Sequence, residues 1–114
     1  MTVGRTQPSE YRAMWLFAMF DLPVKTKKDR KRYARFRKLL IREGFTMLQL
    51  SVYARYCPSE EASQAHRNRI LAEVPAAGQV RLLAVTDRQF GKMVIYESKK
   101  PREPEKAPDQ LVLF

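Results

Sequence analysis

From Ala13 to Phe20 every residue is apolar, and the run stops at Asp21-Leu22-Pro23. Neither side of such a segment can face water, which restricts the folds open to the chain. The run is too short for a comfortable buried helix. It carries Trp15, Phe17 and Phe20, so a central strand covered on both faces is expected. It is also far too short to span a bilayer. Arg5 and Arg12 precede it, yet it ends in Asp-Leu-Pro rather than in the small residues of a leader-peptide cleavage site. The expected compartment is the cytoplasm, with no membrane partner.

Beyond Pro23 the period changes. Thr26 is a good N-cap with Asp29 three residues on, and Tyr33, Phe36, Leu39 and Leu40 recur at helical spacing until Gly44. A helix is expected over 27–43. Met47 to Tyr56 then alternates, with Leu48, Leu50, Val52, Ala54 and Tyr56 on one side, so a single strand is expected there. Ser59 caps a second helix with Glu60 and Glu61 in its first turn. Its apolar face is thin, Ile70 and Val74 being the clearest members, and Pro75 ends it. Val80 to Thr86 reads as a third strand, apolar on both sides except for Arg81. Asp87 to Lys92 reads as a turn and Met93 to Tyr96 as a fourth strand. Residues 98–110 hold three prolines among charged residues and read as a linker, after which Leu111 to Phe114 form a short apolar strand.

With 114 residues, one domain is expected over 1–97, followed by the linker 98–110 and the terminal strand 111–114. A chain of this size buries roughly two-thirds of its extended surface, enough for a core without crosslinks. The order β-α-β-α-β-β gives an α+β class. Right-handed crossovers place both helices on one face of an antiparallel sheet, the ferredoxin-like arrangement. The first and third strands are apolar on both sides, so the other face would be left exposed in a lone protomer. A symmetric homodimer with facing sheets is the simplest remedy.

Charge narrows the function. Lys and Arg number 22 against 12 Asp and Glu, a net +10, and ten of the basic residues fall between Lys25 and Arg42 with only Asp29 among them. Projected on a helix, Lys27, Lys31, Arg35, Lys38 and Arg42 form a row opposite Tyr33, Phe36 and Leu40. Like charges four residues apart repel, and a polyanion laid along the row would relieve that repulsion. A solvated face is the competing reading; the missing acidic partners favour nucleic acid. No base-reading motif accompanies the row, so backbone contact without sequence preference is expected.

Asp21 ends the apolar strand in phase with Trp15, Phe17 and Met19. A carboxylate there suits a hard divalent cation, or simply a turn. One carboxylate makes a thin magnesium site, but a two-fold axis nearby would bring two copies of Asp21 to one shared ion. The remaining candidates are weaker. Cys57 reads as a packing residue, His66 as surface, Ser51 as a strand residue bonded to a neighbour, and Asp87 as a turn former. A single cysteine and a single histidine exclude an intrachain disulfide and a Cys/His metal cluster.

Several of these segments together resemble a known family. Phe20-Asp21-Leu22-Pro23, the basic helix ending Phe36-Arg37-Lys38-Leu39-Leu40, Gly44-Phe45, and Gln49-Leu50-Ser51-Val52-Tyr53 resemble the CRISPR-associated protein two family. The long basic helix and Thr86-Asp87-Arg88-Gln89-Phe90 look like its type II version. The resemblance spans roughly residues 13–96 and the apolar C-terminus. It implies a ferredoxin-like homodimer that binds duplex prespacer DNA and bridges dimers of the integrase, CRISPR-associated protein one. It also implies a magnesium-dependent endonuclease acting on RNA or DNA, with Asp21 as catalytic and metal-binding residue. The tail Leu111, Val112, Leu113 and Phe114 would add a strand to a partner's sheet. Outside the family, the alternatives are a ferredoxin-like RNA-binding module and a toxin-type ribonuclease.

Overall fold

In a computed structural model, which describes residues 13–108, the apolar run is strand β1 (Met14–Asp21), second from one edge of a four-stranded antiparallel sheet. It is followed by helix α1 (Lys27–Arg42), strands β2 (Thr46–Gln49) and β3 (Val52–Cys57), helix α2 (Glu60–Leu71) and strand β4 (Gln79–Thr86). The spatial order is β2-β3-β1-β4. This is the ferredoxin-like βαββαβ arrangement. A short helix α3 (Asp87–Gly91) and a separate hairpin of β5 (Ile95–Glu97) and β6 (Lys100–Arg102) complete it.

Local chemistry explains the helix ends. Thr26 and Asp29 form a reciprocal capping box, the Asp29 amide donating to Thr26 Oγ1 at 3.0 Å and the Thr26 amide to Asp29 Oδ2 at 3.1 Å. That amide bond from Thr26 holds the Asp29 carboxyl below its usual range, with Arg32 assisting. Ser59 caps α2, and Thr86 with Gln89 caps α3 in the same reciprocal way. Gly44 takes a φ of +87° just past α1, where a side chain would also collide with the Arg55 guanidinium.

Three expectations change. The stretch 47–56 is a hairpin rather than one strand, so the order is β-α-β-β-α-β in place of β-α-β-α-β-β. Thr46 faces Ala54 and Met47 faces Tyr53. Next to the turn the register shifts by one, Gln49 facing Val52, so a bulge interrupts the ladder between Met47 and Gln49. The turn itself, Leu50-Ser51, lacks glycine, asparagine and proline; Ser51 instead adopts a φ of 62°. The second change is at Asp87–Gly91, which is helical because Thr86 caps it. The third is at the C-terminus. The fourth expected strand lies outside the main sheet, and residues 98–102, read as linker, form the Ser98-Lys99 turn and β6, with positive φ at both turn residues. The strand expected at Leu111 to Phe114 falls outside the described residues.

The core sits between sheet and helices. Leu16, Ala18 and Phe20 of β1 pack against Phe36, Leu39 and Leu40 of α1 and Ile70 of α2. Cys57 is buried among them, as a packing residue should be, and burial pushes its thiol above the ordinary range. The other face is not bare, as a two-helix domain would leave it. Trp15 stacks on Phe90 of α3 at 4.0 Å, and its indole N–H donates to Asp87 Oδ1 at 2.7 Å. Phe17, Leu48, Tyr56, Val85 and Met93 surround that pair. Among the described residues, no helix is long and apolar enough to cross a membrane.

Candidate functional site

Helix α1 buries Phe36, Leu39 and Leu40, which turns Lys27, Lys31, Arg35, Lys38 and Arg42 outward, and all five are exposed. None of the five has a hydrogen-bond or ion-pair partner among the described residues. Other basic side chains of the same segment are engaged. Arg30 donates to the carbonyls of Val24 and Lys25, Arg32 lies 3.7 Å from Asp29, and Arg37 Nε donates to the Tyr53 hydroxyl at 3.0 Å. Helical spacing thus separates a structural set of arginines from a row of uncompensated cations.

Asp21 lies elsewhere. It continues the row Trp15, Phe17, Met19 on the face turned away from α1 and α2, and its side chain is exposed. It lines a cleft of about 260 Å3 with Met19, Phe20, Leu50, Ser51, Val52, Gln79 and Arg81. Three contacts fix that end of the sheet. The Phe20 amide donates to the Ser51 carbonyl at 3.1 Å, and the Ser51 hydroxyl is 2.9 Å from the Tyr33 hydroxyl. Gly78, with φ +88°, lets the start of β4 approach so closely that a Cβ there would lie 2.6 Å from the Asp21 carbonyl oxygen.

The Asp21 carboxylate has no ion pair or hydrogen bond among the described residues, and no group of three or more His, Cys, Asp or Glu side chains gathers there to hold a metal. As a hard oxygen donor it fits magnesium, but the chain supplies a single such ligand there. The structure therefore does not bring the five cations and Asp21 together: the sheet lies between them.

Two engaged residues were not visible in the sequence. His66, read as surface, is half-buried, its Nδ1 2.7 Å from Glu43 Oε1, which also accepts from Arg69 Nε at 2.9 Å. Burial alone would raise the Glu43 carboxyl. The hydrogen bonds and charges of Arg69 and His66 outweigh it and hold the group below its ordinary value. Glu43 lies at the end of α1 and His66 inside α2, so no local spacing signals the pair. Asp87, read as a turn former, is the acceptor for Trp15. The Tyr56 phenol is raised by burial and, secondarily, by the Asp87 charge.

Fold and charge together define a ferredoxin-like domain with a basic outer helix and a lone strand-end carboxylate. The chain belongs to the family described as CRISPR associated protein Cas2, whose model matches residues 14–93. A relative named CRISPR-associated endoribonuclease Cas2 from Parvibaculum lavamentivorans is 54% identical over 101 residues, 89% of this chain and 100% of that protein. Relatives of the same name from Flavobacterium psychrophilum and Streptococcus mutans are 42% and 35% identical; they align with 96% and 89% of this chain and 95% and 93% of their own lengths. A crystal structure of a Cas2 protein has the same fold, with a TM-score of 0.53 and 22% identity, over 80% of this chain and 95% of the other.

Proposed function

We propose that this chain acts as a homodimer in CRISPR adaptation, binding duplex prespacer DNA by its backbone and bridging dimers of the integrase, CRISPR-associated protein one. The main support is the row Lys27, Lys31, Arg35, Lys38 and Arg42, five exposed cations without partners among the described residues. Binding along it releases counterions from the polyanion, so affinity falls steeply with salt. The tail Leu111 to Phe114 is the segment proposed to add a strand to the integrase.

Endonuclease activity is the second part of the proposal. The names of the relatives point to RNA, and DNA is the other substrate considered. Asp21 from both protomers would hold one magnesium ion. When bound, such an ion supplies charge neutralisation and a water of lowered pKa. Hydrolysis adds water across one P–O bond, the oxygen to phosphorus and a proton to the leaving hydroxyl. Asp21 anchors the site, but apart from the two copies of Asp21 on the ion the cleft lining offers no carboxylate and no histidine to move that proton. Turnover is therefore slow, and the adaptor role dominates.

The test is Lys31→Glu, Arg35→Glu and Lys38→Glu combined. Circular dichroism should be unchanged, while duplex affinity falls by about a hundredfold or more at low salt. Wild-type binding by this variant would reduce the row to a solvated face. Asp21→Asn should abolish metal-dependent cleavage and leave duplex binding and spacer integration intact. Loss of integration in that variant would overturn the adaptor reading.

A further inference from the structure

The α1 row and Asp21 lie on opposite sides of the sheet, so a nucleic acid held on α1 is not thereby delivered to Asp21 of the same protomer. A phosphodiester approaching Asp21 also meets a carboxylate, and like charge repels it. A cationic side chain in the cleft would add to the neutralisation that a bound ion supplies.

The cleft contains one. The register sets Gln79 opposite Asp21 and Arg81 opposite Met19, so both side chains stand on the Asp21 side of the sheet. Arg81 Nε donates to Gln79 Oε1 at 2.6 Å. Tethering one nitrogen orients the guanidinium plane, and a neutral amide does so without cancelling its charge. Arg81 forms no ion pair among the described residues, although it and Asp21 line the same cleft. Both side chains are exposed, and the walls beside them are the apolar Phe20, Leu50 and Val52. An acid and an oriented base that share a cleft without neutralising each other leave a donor fork open to an anion.

We infer that Arg81 contacts a phosphodiester in the Asp21 cleft and that Gln79 is its positioning residue. The inference rests on the nuclease reading of Asp21 and adds the group that offsets the carboxylate's repulsion. Arg81 holds a non-bridging oxygen and meets the charge that grows there as water adds to phosphorus. Gln79 acts only through the guanidinium.

The experiment uses the full chain, magnesium and a fluorescein-labelled single-stranded RNA. Arg81→Gln should lower kcat/KM for cleavage by about tenfold to a hundredfold, with duplex DNA affinity unchanged. Arg81→Lys, which keeps charge and loses the fork, should fall between. Gln79→Ala should cost less than Arg81→Gln. Gln79→Glu keeps the tether but neutralises the cation, and should fall as far as Arg81→Gln, an outcome a merely structural glutamine would not produce. Cleavage by Arg81→Gln at the wild-type rate overturns the inference. Dissociation of the Arg81→Gln dimer overturns it too, since Arg81 would then serve the subunit contact. If wild type does not cleave, the nuclease reading fails, and Arg81 is judged by anisotropy with the same RNA. A loss of about fivefold in magnesium-dependent affinity supports the contact; equal affinity removes it.

Discussion

The two faces of the sheet share strands but are closed by different means. Toward α1 and α2, Leu16, Ala18 and Phe20 meet Phe36, Leu39 and Leu40 of α1 and Ile70 of α2, all buried. Away from them, cover comes from the short helix α3 and from the C-terminal segment, where Glu105, Lys106 and Pro108 lie near Trp15, Leu48 and Tyr56. That cover is partial. Trp15 is 6% exposed, whereas Leu83 on the same face is 49% exposed and Asp21 is open to solvent. The closed face supplies stability. The partly open one leaves apolar surface such as Leu83 exposed.

The sharpest way to break that contrast is to injure both faces equally. Phe36→Ala, in the closed seam, should cost about 3–5 kcal/mol and leave little folded protein at 37 °C. Leu83→Asp should leave the thermal transition of the protomer nearly unchanged but shift sedimentation from dimer toward monomer. Equal destabilisation by the two would mean that the faces are equivalent cores. A monomeric wild type would instead remove the proposed homodimer.

A smaller effect is expected where the closed side is latched by charge. Glu43→Gln removes the anion shared by His66 and Arg69 and should cost about 1.5–3 kcal/mol by urea denaturation. The Glu43 carboxyl is held below its ordinary 4.5, so its stabilisation is present above that pH and is lost as pH falls through the depressed value. The Gln variant should therefore lose stability less steeply than wild type below that pH. Parallel acid curves would mean that Glu43 contributes no linkage.

The smallest effect is at the turn beside the open cleft. Ser51→Gly relieves a positive φ worth about 1 kcal/mol but loses the Tyr33 hydrogen bond, so the net change should be within about 1 kcal/mol. Ser51→Ala keeps the strain and loses the bond, and should be the less stable of the two. Chemical denaturation of the pair decides it, and the reverse order would show that the hydroxyl contact is not what the turn relies on.

Patterns confined to one element were legible without coordinates. The apolar run that became β1, the Thr26–Asp29 cap, the limits of α1 and the outward row of cations follow from period and neighbour chemistry, which act over a few residues. The α+β class was legible for the same reason. Tertiary structure alone decided the rest. The hairpin at Leu50-Ser51 used a serine rather than glycine, asparagine or proline for its positive φ, so no turn residue signalled it. The Glu43–His66–Arg69 contact spans two helices, and the Trp15–Asp87 bond joins residues 72 apart. The side on which Asp21 emerges, opposite the basic row and beside Arg81, was set by strand register. Register is fixed by which strands pair, and pairing is settled by the burial of the whole sheet rather than by any one segment.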